Sequence, residues 1–205
     1  MKSGLIGAEI DSSINAVAGC SAGYLVTIRN CTIESGVTIG YDGKQSQIGS
    51  FAGRMIGTIE NCTSHATVQG VDYVGGIIGT QDNAMSGCIV SGCTCNGTVK
   101  AGGIMGGGYS DSSAPNGIHT TIKNCVSTGS ITGADCVGGI LGGDPYVAQA
   151  WNAYEFTGNK FAGSVNAASG TYVGGIIGFY DSLNKFDNIT NNFTYPPAQI
   201  RALDL

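Results

Sequence analysis

One short pattern recurs along this chain at a nearly fixed interval, and a period of about thirty residues is the mark of repeat architectures. Residues 28–32 (IRNCT), 59–63 (IENCT), 90–94 (VSGCT) and 122–126 (IKNCV) share it, and weaker copies follow at 156–160 (FTGNK) and 189–193 (ITNNF). With Cys31, Cys62, Cys93, Cys125, Asn159 and Asn192 as equivalent positions, the intervals are 31, 31, 32, 34 and 33 residues. Six residues beyond the first five of these lie Val37, Val68, Val99, Ile131 and Val165. A third element closes the unit, at 52–57 (AGRMIG), 74–79 (VGGIIG), 101–106 (AGGIMG), 137–142 (VGGILG) and 173–178 (VGGIIG).

Each element is a short run of aliphatic and β-branched residues bounded by Gly, Asn, Ser or Thr, which reads as a strand and is too short for a helix. Helical repeats of similar period need two amphipathic helices per unit, and 35 glycines among 205 residues forbid them. A propeller blade needs four strands in about 40 residues. The pattern therefore predicts an all-β parallel β-helix with three short strands per coil of 31–34 residues and five to six coils. Stacked coils put equivalent residues in columns about 4.8 Å apart. Ile28, Ile59, Val90, Ile122, Phe156 and Ile189 read as one inward column, and Val37, Val68, Val99, Ile131 and Val165 as another. Arg29, Glu60 and Lys123 follow the first column and read as outward. Asn30, Asn61 and Asn124 read as a bend, because Asn tolerates a left-handed backbone; such a bend turns the following Cys inward.

Composition narrows the function classes. Apolar residues make up 42% of the chain and charged ones 11%, so it can bury a core and does not read as disordered. No run of 18 apolar residues exists to span a membrane. Nine scattered Lys and Arg and a net charge of −5 leave no basic surface for a phosphate backbone, and nucleic acid is not an expected partner.

The units resemble the GLUG-motif repeats of bacterial surface and secreted proteins: a strand ending in Asn-Cys, a small Ser/Gly/Val strand, then a Gly-Gly-hydrophobic-hydrophobic-Gly strand. Residues 59–79 and 122–142 carry that pattern most fully, and Gly4-Leu5-Ile6-Gly7 looks like the closing strand of a further, truncated unit. Gly92 in place of Asn, Arg54 in place of the second Gly, and the loss of Cys in the last two copies depart from it. The resemblance implies a right-handed β-helix in a larger exported protein, of the kind associated with adhesion or with non-catalytic regions of immunoglobulin A metallopeptidases, at the cell surface or outside it. It implies no catalytic residue. The chain accordingly divides into 1–27, a truncated repeat and connection; 28–194, the β-helix repeats; and 195–205, a tail or cap. No basic and apolar export signal precedes the first repeat strand, which is expected of part of a larger polypeptide.

Eight cysteines raise disulfide and metal readings. Zinc needs four paired ligands, and His65 and His119 lie away from the Cys88, Cys93 and Cys95 cluster. The favoured reading is a ladder of buried thiols at Cys31, Cys62, Cys93 and Cys125; one bridge among Cys20, Cys88, Cys95 and Cys136 stays open. Residues 19–23 match G-x-S-x-G, but strand rather than helix follows, so this is a chance match. H-E-x-x-H is absent.

The connections after the Gly-Gly strands carry more information. All leave the rod at one corner, four are long, and each of those bears an early aspartate: Asp82, Asp111, Asp144 and Asp181. Tyr109, Tyr146 and Tyr180 sit beside three of these, and Trp151 and Tyr154 belong to the same face. Carboxylates flanked by rings suit a polysaccharide or a cell-surface glycan, with rings on sugar faces and carboxylates on hydroxyls. No cofactor is expected, calcium being the one ion these carboxylates could take. The expectation is a structural or adhesive module. The alternatives are a polysaccharide lyase or glycoside hydrolase using Asp111 with Asp144, or Asp144 with Asp181, and a passive spacer stalk.

Overall fold

The computed structural model describes residues 26–41, 46–55, 57–81, 88–107, 118–134, 136–143, 152–168, 172–179, 185–190, 193–194 and 199–202. Among them there is no helix, and every strand pairing is parallel. Three sheets, each six strands deep, form the walls of a β-solenoid. The first opens with β1 (Val26–Arg29) and continues through Gly57–Glu60, Cys88–Ser91, Ile118–Lys123, Asn152–Thr157 and Lys185–Thr190. The second opens with β2 (Thr32–Ile33), and the third opens with β3 (Thr38–Ile39) and ends with Gln199–Ala202. A fourth side is built from the Gly-Gly elements, joined by short pairings and bridges such as Gly75 to Gly102 to Gly138 and Ile78 to Met105 to Leu141.

The corner between the first and second sheets forms as its residues demand. Asn30, Asn61 and Asn124 take φ of 55°, 53° and 53°, and Gly92 and Gly158, which stand where the repeat has Asn, take 62° and 67°. Asn and Gly are the residues that visit this left-handed region at least cost. The bend reverses the alternation of side chains, so Ile59, Val90 and Ile122 point inward before it and Cys62, Cys93 and Cys125 point inward after it. Arg29 stays outside, paired with Glu60 at 2.6 Å.

Register corrects two expected alignments. Val68 lies opposite Ile39, not Val37, so the third-sheet column runs Ile39, Val68, Val99, Ile131, Val165 and Ile200. The first unit carries two extra residues between Cys31 and this column, and a fixed six-residue spacing cannot register them. Likewise Ile48 pairs with Val74 and Ala52 with Ile78, so the first Gly-Gly element is 48–53 (IGSFAG) and not 52–57. Ser50, not Arg54, takes the place of the second glycine, and Gly57 already belongs to the first sheet. Gln199–Ala202, within the stretch set apart as a tail, adds to the third ladder.

The second glycine has a steric cause. Opposite the fourth side, the inward column of the second sheet runs Ile33, Ser64, Cys95, Ser127 and Phe161, with Thr194 next in backbone register. A Cβ at Gly76 would fall on Cys95, one at Gly103 on Ser127, and one at Gly139 on the Phe161 ring, besides meeting the carbonyl of the next strand. The rod is one backbone thick at this point. Where Ser50 replaces the glycine its hydroxyl bonds that of Ser64 at 2.6 Å, so the two meet as a polar pair inside the wall.

Gly139→Ala is therefore expected to destabilise the fold by about 1–3 kcal/mol through overpacking. Ser127 offers the opposite case, since its hydroxyl is buried and finds no hydrogen-bond partner among the described residues. Ser127→Ala is expected to gain about 1 kcal/mol by removing an unsatisfied polar group. Urea denaturation followed by circular dichroism checks both signs.

Candidate functional site

Two features of the described residues bear on chemistry: the corner from which the long connections leave, and the column of thiols within. At the corner, Gly107 donates to the Gly79 carbonyl, Gly143 to that of Gly106 and Phe179 to that of Gly142, so the chain departs from stacked positions. It returns at Cys88, Ile118, Asn152 and Lys185, which all open strands of the first sheet. The connections 82–87, 108–117, 144–151 and 180–184 thus spring from one edge of the rod.

Asp82, Tyr109, Asp111, Asp144, Tyr146, Trp151, Tyr180 and Asp181 lie outside the described residues. Tyr154 was expected in a connection, but its backbone belongs to strand Asn152–Thr157, in register with Thr120 and through it with Cys88. The sequence reading ended the connection late because Asn-Ala-Tyr-Glu carries no aliphatic pattern, yet pairing with Ile118–Lys123 extends the strand upstream.

Other groups at the corner escaped the sequence reading. Tyr172 and Phe179 meet edge to face, with ring centroids 4.7 Å apart, and Tyr172 remains 38% exposed. The Tyr73 ring lies against the backbone of Gly107. Tyr73 and Tyr172 each stand directly before a V-G-G-I-I-G element, which is the signal that could have found them. Just inside the returning edge, Glu155 is an exposed carboxylate that accepts a hydrogen bond from Thr121 at 3.3 Å. Aromatic faces and a carboxylate with hydrogen-bonding capacity to spare are groups that can hold a hydroxylated ligand.

The thiol column follows one geometric rule. Each buried Cys donates its S–H to the carbonyl two residues before it and approaches a second carbonyl in the preceding level of strands. Cys62 reaches Glu60 at 3.3 Å and Ile28 at 3.8 Å, Cys93 reaches Ser91 at 3.4 Å and Ile59 at 3.7 Å, and Cys125 reaches Lys123 at 3.4 Å and Val90 at 3.6 Å. Asn159 takes the same place in the next level; its amide donates to Ile122 at 2.8 Å and its oxygen accepts from the Cys125 backbone N–H at 3.0 Å. The repeat thus substitutes one small donor for another. None of the seven described cysteines, Cys31, Cys62, Cys88, Cys93, Cys95, Cys125 and Cys136, forms a disulfide, and Cys20 lies outside the described residues.

Burial and contacts between neighbouring thiols together set the acidity of these groups. Cys88 is pushed up to about 12 by burial and then by the neighbouring Cys93. Cys95 is pushed up to about 11 by burial. Cys93 rises to about 12 first through its contact with Cys125 and then by burial, against a lowering contact from Cys62. Cys62 is raised through its contact with Cys93 and by burial. A thiol held protonated is neither a nucleophile nor a metal ligand, and among the described residues no cluster of three or more His, Cys, Asp or Glu is placed to hold a metal ion.

Parallel sheets closed round a thin core, with connections displayed from one edge, define a β-solenoid repeat protein. No protein-family model and no curated protein matches the chain. Among solved structures it is similar to one described as a putative immunoglobulin A1 protease from Bacteroides ovatus, with a TM-score of 0.62 and 22% identity. The match covers 93% of this chain and 66% of that one, so this chain spans about two thirds of its neighbour's length. At that identity the likeness establishes the fold.

The raised thiols give stability a definite pH dependence. Below about pH 8 the thiols are neutral in both folded and unfolded chains and contribute no slope. As pH rises past 9 the unfolded chain ionises first and binds fewer protons, so stability falls toward the folded values of about 11 for Cys95 and about 12 for Cys88 and Cys93. Each thiol adds up to about 1.4 kcal/mol per pH unit in that window. Urea midpoints from pH 7 to 11 should be flat and then fall, with a shallower fall in Cys95→Ala.

Proposed function

We propose that this chain is a structural and adhesive module of an exported bacterial protein, built of GLUG-type repeats, which binds carbohydrate at its loop-bearing corner. The observation that carries this reading is that the points from which long connections leave, after Gln81, Gly107, Gly143 and Phe179, lie on one edge of the rod. A rod that served only as a spacer would need short turns, whereas long connections repeated at one edge offer room for a binding surface. The residues of those connections, with Asp82, Asp111, Asp144, Asp181, Tyr109, Tyr146, Tyr180 and Trp151 among them, are rich in the groups that recognise sugars, and Tyr73, Tyr172 and Glu155 stand at their base. A setting outside the cell is supported by the description of the structural neighbour as a putative immunoglobulin A1 protease. The partner proposed is a polysaccharide or a cell-surface glycan, with calcium as the ion to test beside it.

The test is retention on a panel of plant, microbial and host polysaccharides, with and without calcium, with reducing-end release measured in the same incubations. Retention without release, lost in the double variant Asp144→Asn, Trp151→Ala, is the expected result. Release abolished by Asp144→Asn alone would make the chain a carbohydrate-active enzyme. Neither retention nor release would leave a spacer.

A further inference from the structure

On the outer wall one column of side chains joins three successive levels by hydrogen bonds. His65, Asn96, Thr128 and Ala162 donate their backbone N–H groups to the carbonyls of Ile33, Ser64, Cys95 and Ser127, so they hold the same place in the ladder. Their neighbours Ser64, Cys95, Ser127 and Phe161 are sealed inside, which turns these four outward; His65 is half-buried, and Asn96, Thr128 and Ala162 are exposed. Thr128 donates its hydroxyl hydrogen to Asn96 Oδ1 at 2.7 Å, and Asn96 Nδ2 lies 3.3 Å from His65 Nδ1.

These two contacts fix the state of the ring. The Asn96 oxygen is turned to Thr128, so its NH2 group is turned to His65, and an NH2 group only donates. His65 Nδ1 must then accept, which places the ring in its neutral form with the proton on Nε2. The polarity of the column runs one way, from Thr128 through Asn96 to His65. Each member can also take the opposite role. The imidazole nitrogen becomes a donor on protonation, the amide exchanges N and O by a half-turn about its last torsion, and a hydroxyl donates or accepts as it rotates. The Arg29–Glu60 contact has no such freedom, because a guanidinium only donates and an ionised carboxylate only accepts.

We infer that His65, Asn96 and Thr128 form a proton-driven relay, in which protonation of His65 turns the Asn96 amide over, reverses both hydrogen bonds and releases the Thr128 hydroxyl hydrogen from the column. A protonated Nδ1 facing an NH2 group would leave two donors opposed, whereas the turned amide offers its oxygen to the charged ring in a charge-assisted bond. The NH2 group then donates to Thr128 Oγ1, whose own hydrogen is set free. The release occurs two levels from the proton, about 10 Å along the rod, and the column ends there, because the Ala162 side chain has no polar group to take the hydrogen up. Histidine is the side chain whose charge changes near neutral pH, so a change of pH alters which hydrogen-bonding groups this wall displays. Of the groups placed to face the ring, Glu34 in the preceding level is titratable and exposed; the others are Asn96 in the next level and Thr63 and Thr67 on the same strand. A negative Glu34 favours the charged ring, although His65 forms no ion pair among the described residues. The relay is independent of the glycan-binding corner, and either can fail without the other.

The test is a pH titration of the full, isotope-labelled chain followed by NMR. At the alkaline end of the His65 titration Nδ1 should be the bare nitrogen and Nε2 the protonated one. On acidification the Asn96 side-chain amide and the Thr128 Cβ should shift with the same midpoint as the His65 ring. His65→Ala should abolish both shifts. In Asn96→Ala the ring should still titrate while the Thr128 shift vanishes. Asn96→Asp, whose carboxylate accepts from both neighbours, should raise the His65 midpoint by about 1 pH unit and hold Thr128 as a donor throughout. The co-titration in the unaltered chain gives the answer should a variant not fold. A proton on Nδ1 at the alkaline end, or an Asn96 amide and Thr128 Cβ that stay flat while the ring titrates, would overturn the relay. So would a Thr128 shift that persists in Asn96→Ala, since the signal would then bypass the amide.

Discussion

The approach of the second sheet to the glycines of the fourth side fixes the cross-section of the rod. Cys95, Ser127 and Phe161 press on backbone where Gly76, Gly103 and Gly139 have no side chain, so the core at this point has the thickness of one residue. This thinness explains the composition. A wide core would be filled with Leu and Phe from both walls; here one wall supplies the side chain and the other supplies its absence. Ser50 and Ser64 show an exception among the described residues and its remedy, since two side chains meet there by sharing a hydrogen bond at 2.6 Å.

A thin core also accounts for the cysteines. The position after the Asn bend is sealed and lies beside carbonyls of its own and the preceding level, so it calls for a small side chain with a weak donor. Cysteine fills that space with an S–H aimed at carbonyls, and Asn159 does so with an amide. Thiols on neighbouring parallel strands are near enough to be bridged, but in this column they are turned toward backbone oxygen and kept protonated. Oxidation needs exposed thiolate, and so these free thiols are compatible with oxidising surroundings. Their role is to complete the ladder.

The parts of the fold legible in the sequence were those that the ladder forces to repeat. The spacing of Cys31, Cys62, Cys93 and Cys125, the bend at Asn30, Asn61 and Asn124, and the inward turn of the thiols all follow from one residue type recurring in one place. The parts misread were those where a unit changes length without changing type. Val37 satisfies the β-branched pattern as well as Ile39 does, and AGRMIG resembles a Gly-Gly element more closely than IGSFAG does. Only pairing across the ladder separates such twins, because an extra residue in a turn leaves composition untouched and shifts every later contact. The candidate site was less legible for a related reason. The connections differ in length from unit to unit and so offer no fixed interval in the sequence, and Tyr154 could not be assigned to strand rather than connection from its neighbours alone.

The same contrast separates the two kinds of surface on this molecule. Along the walls every outward position stands about 4.8 Å from its equivalents, and hydrogen bonds run between levels: Thr128 to Asn96 at 2.7 Å, Ser164 to Ser130 at 3.3 Å, and Arg29 to Glu60. Groups engaged with one another along the rod have less capacity left for a ligand, and changes there must suit two neighbours at once. The connections at the loop-bearing corner differ in length and chemistry from unit to unit, while the described ladder beneath them keeps its register. A solenoid therefore separates stability from recognition by geometry. Its walls and ends are bound by the ladder, and its corner is where a binding specificity can change while the rod beneath stays the same.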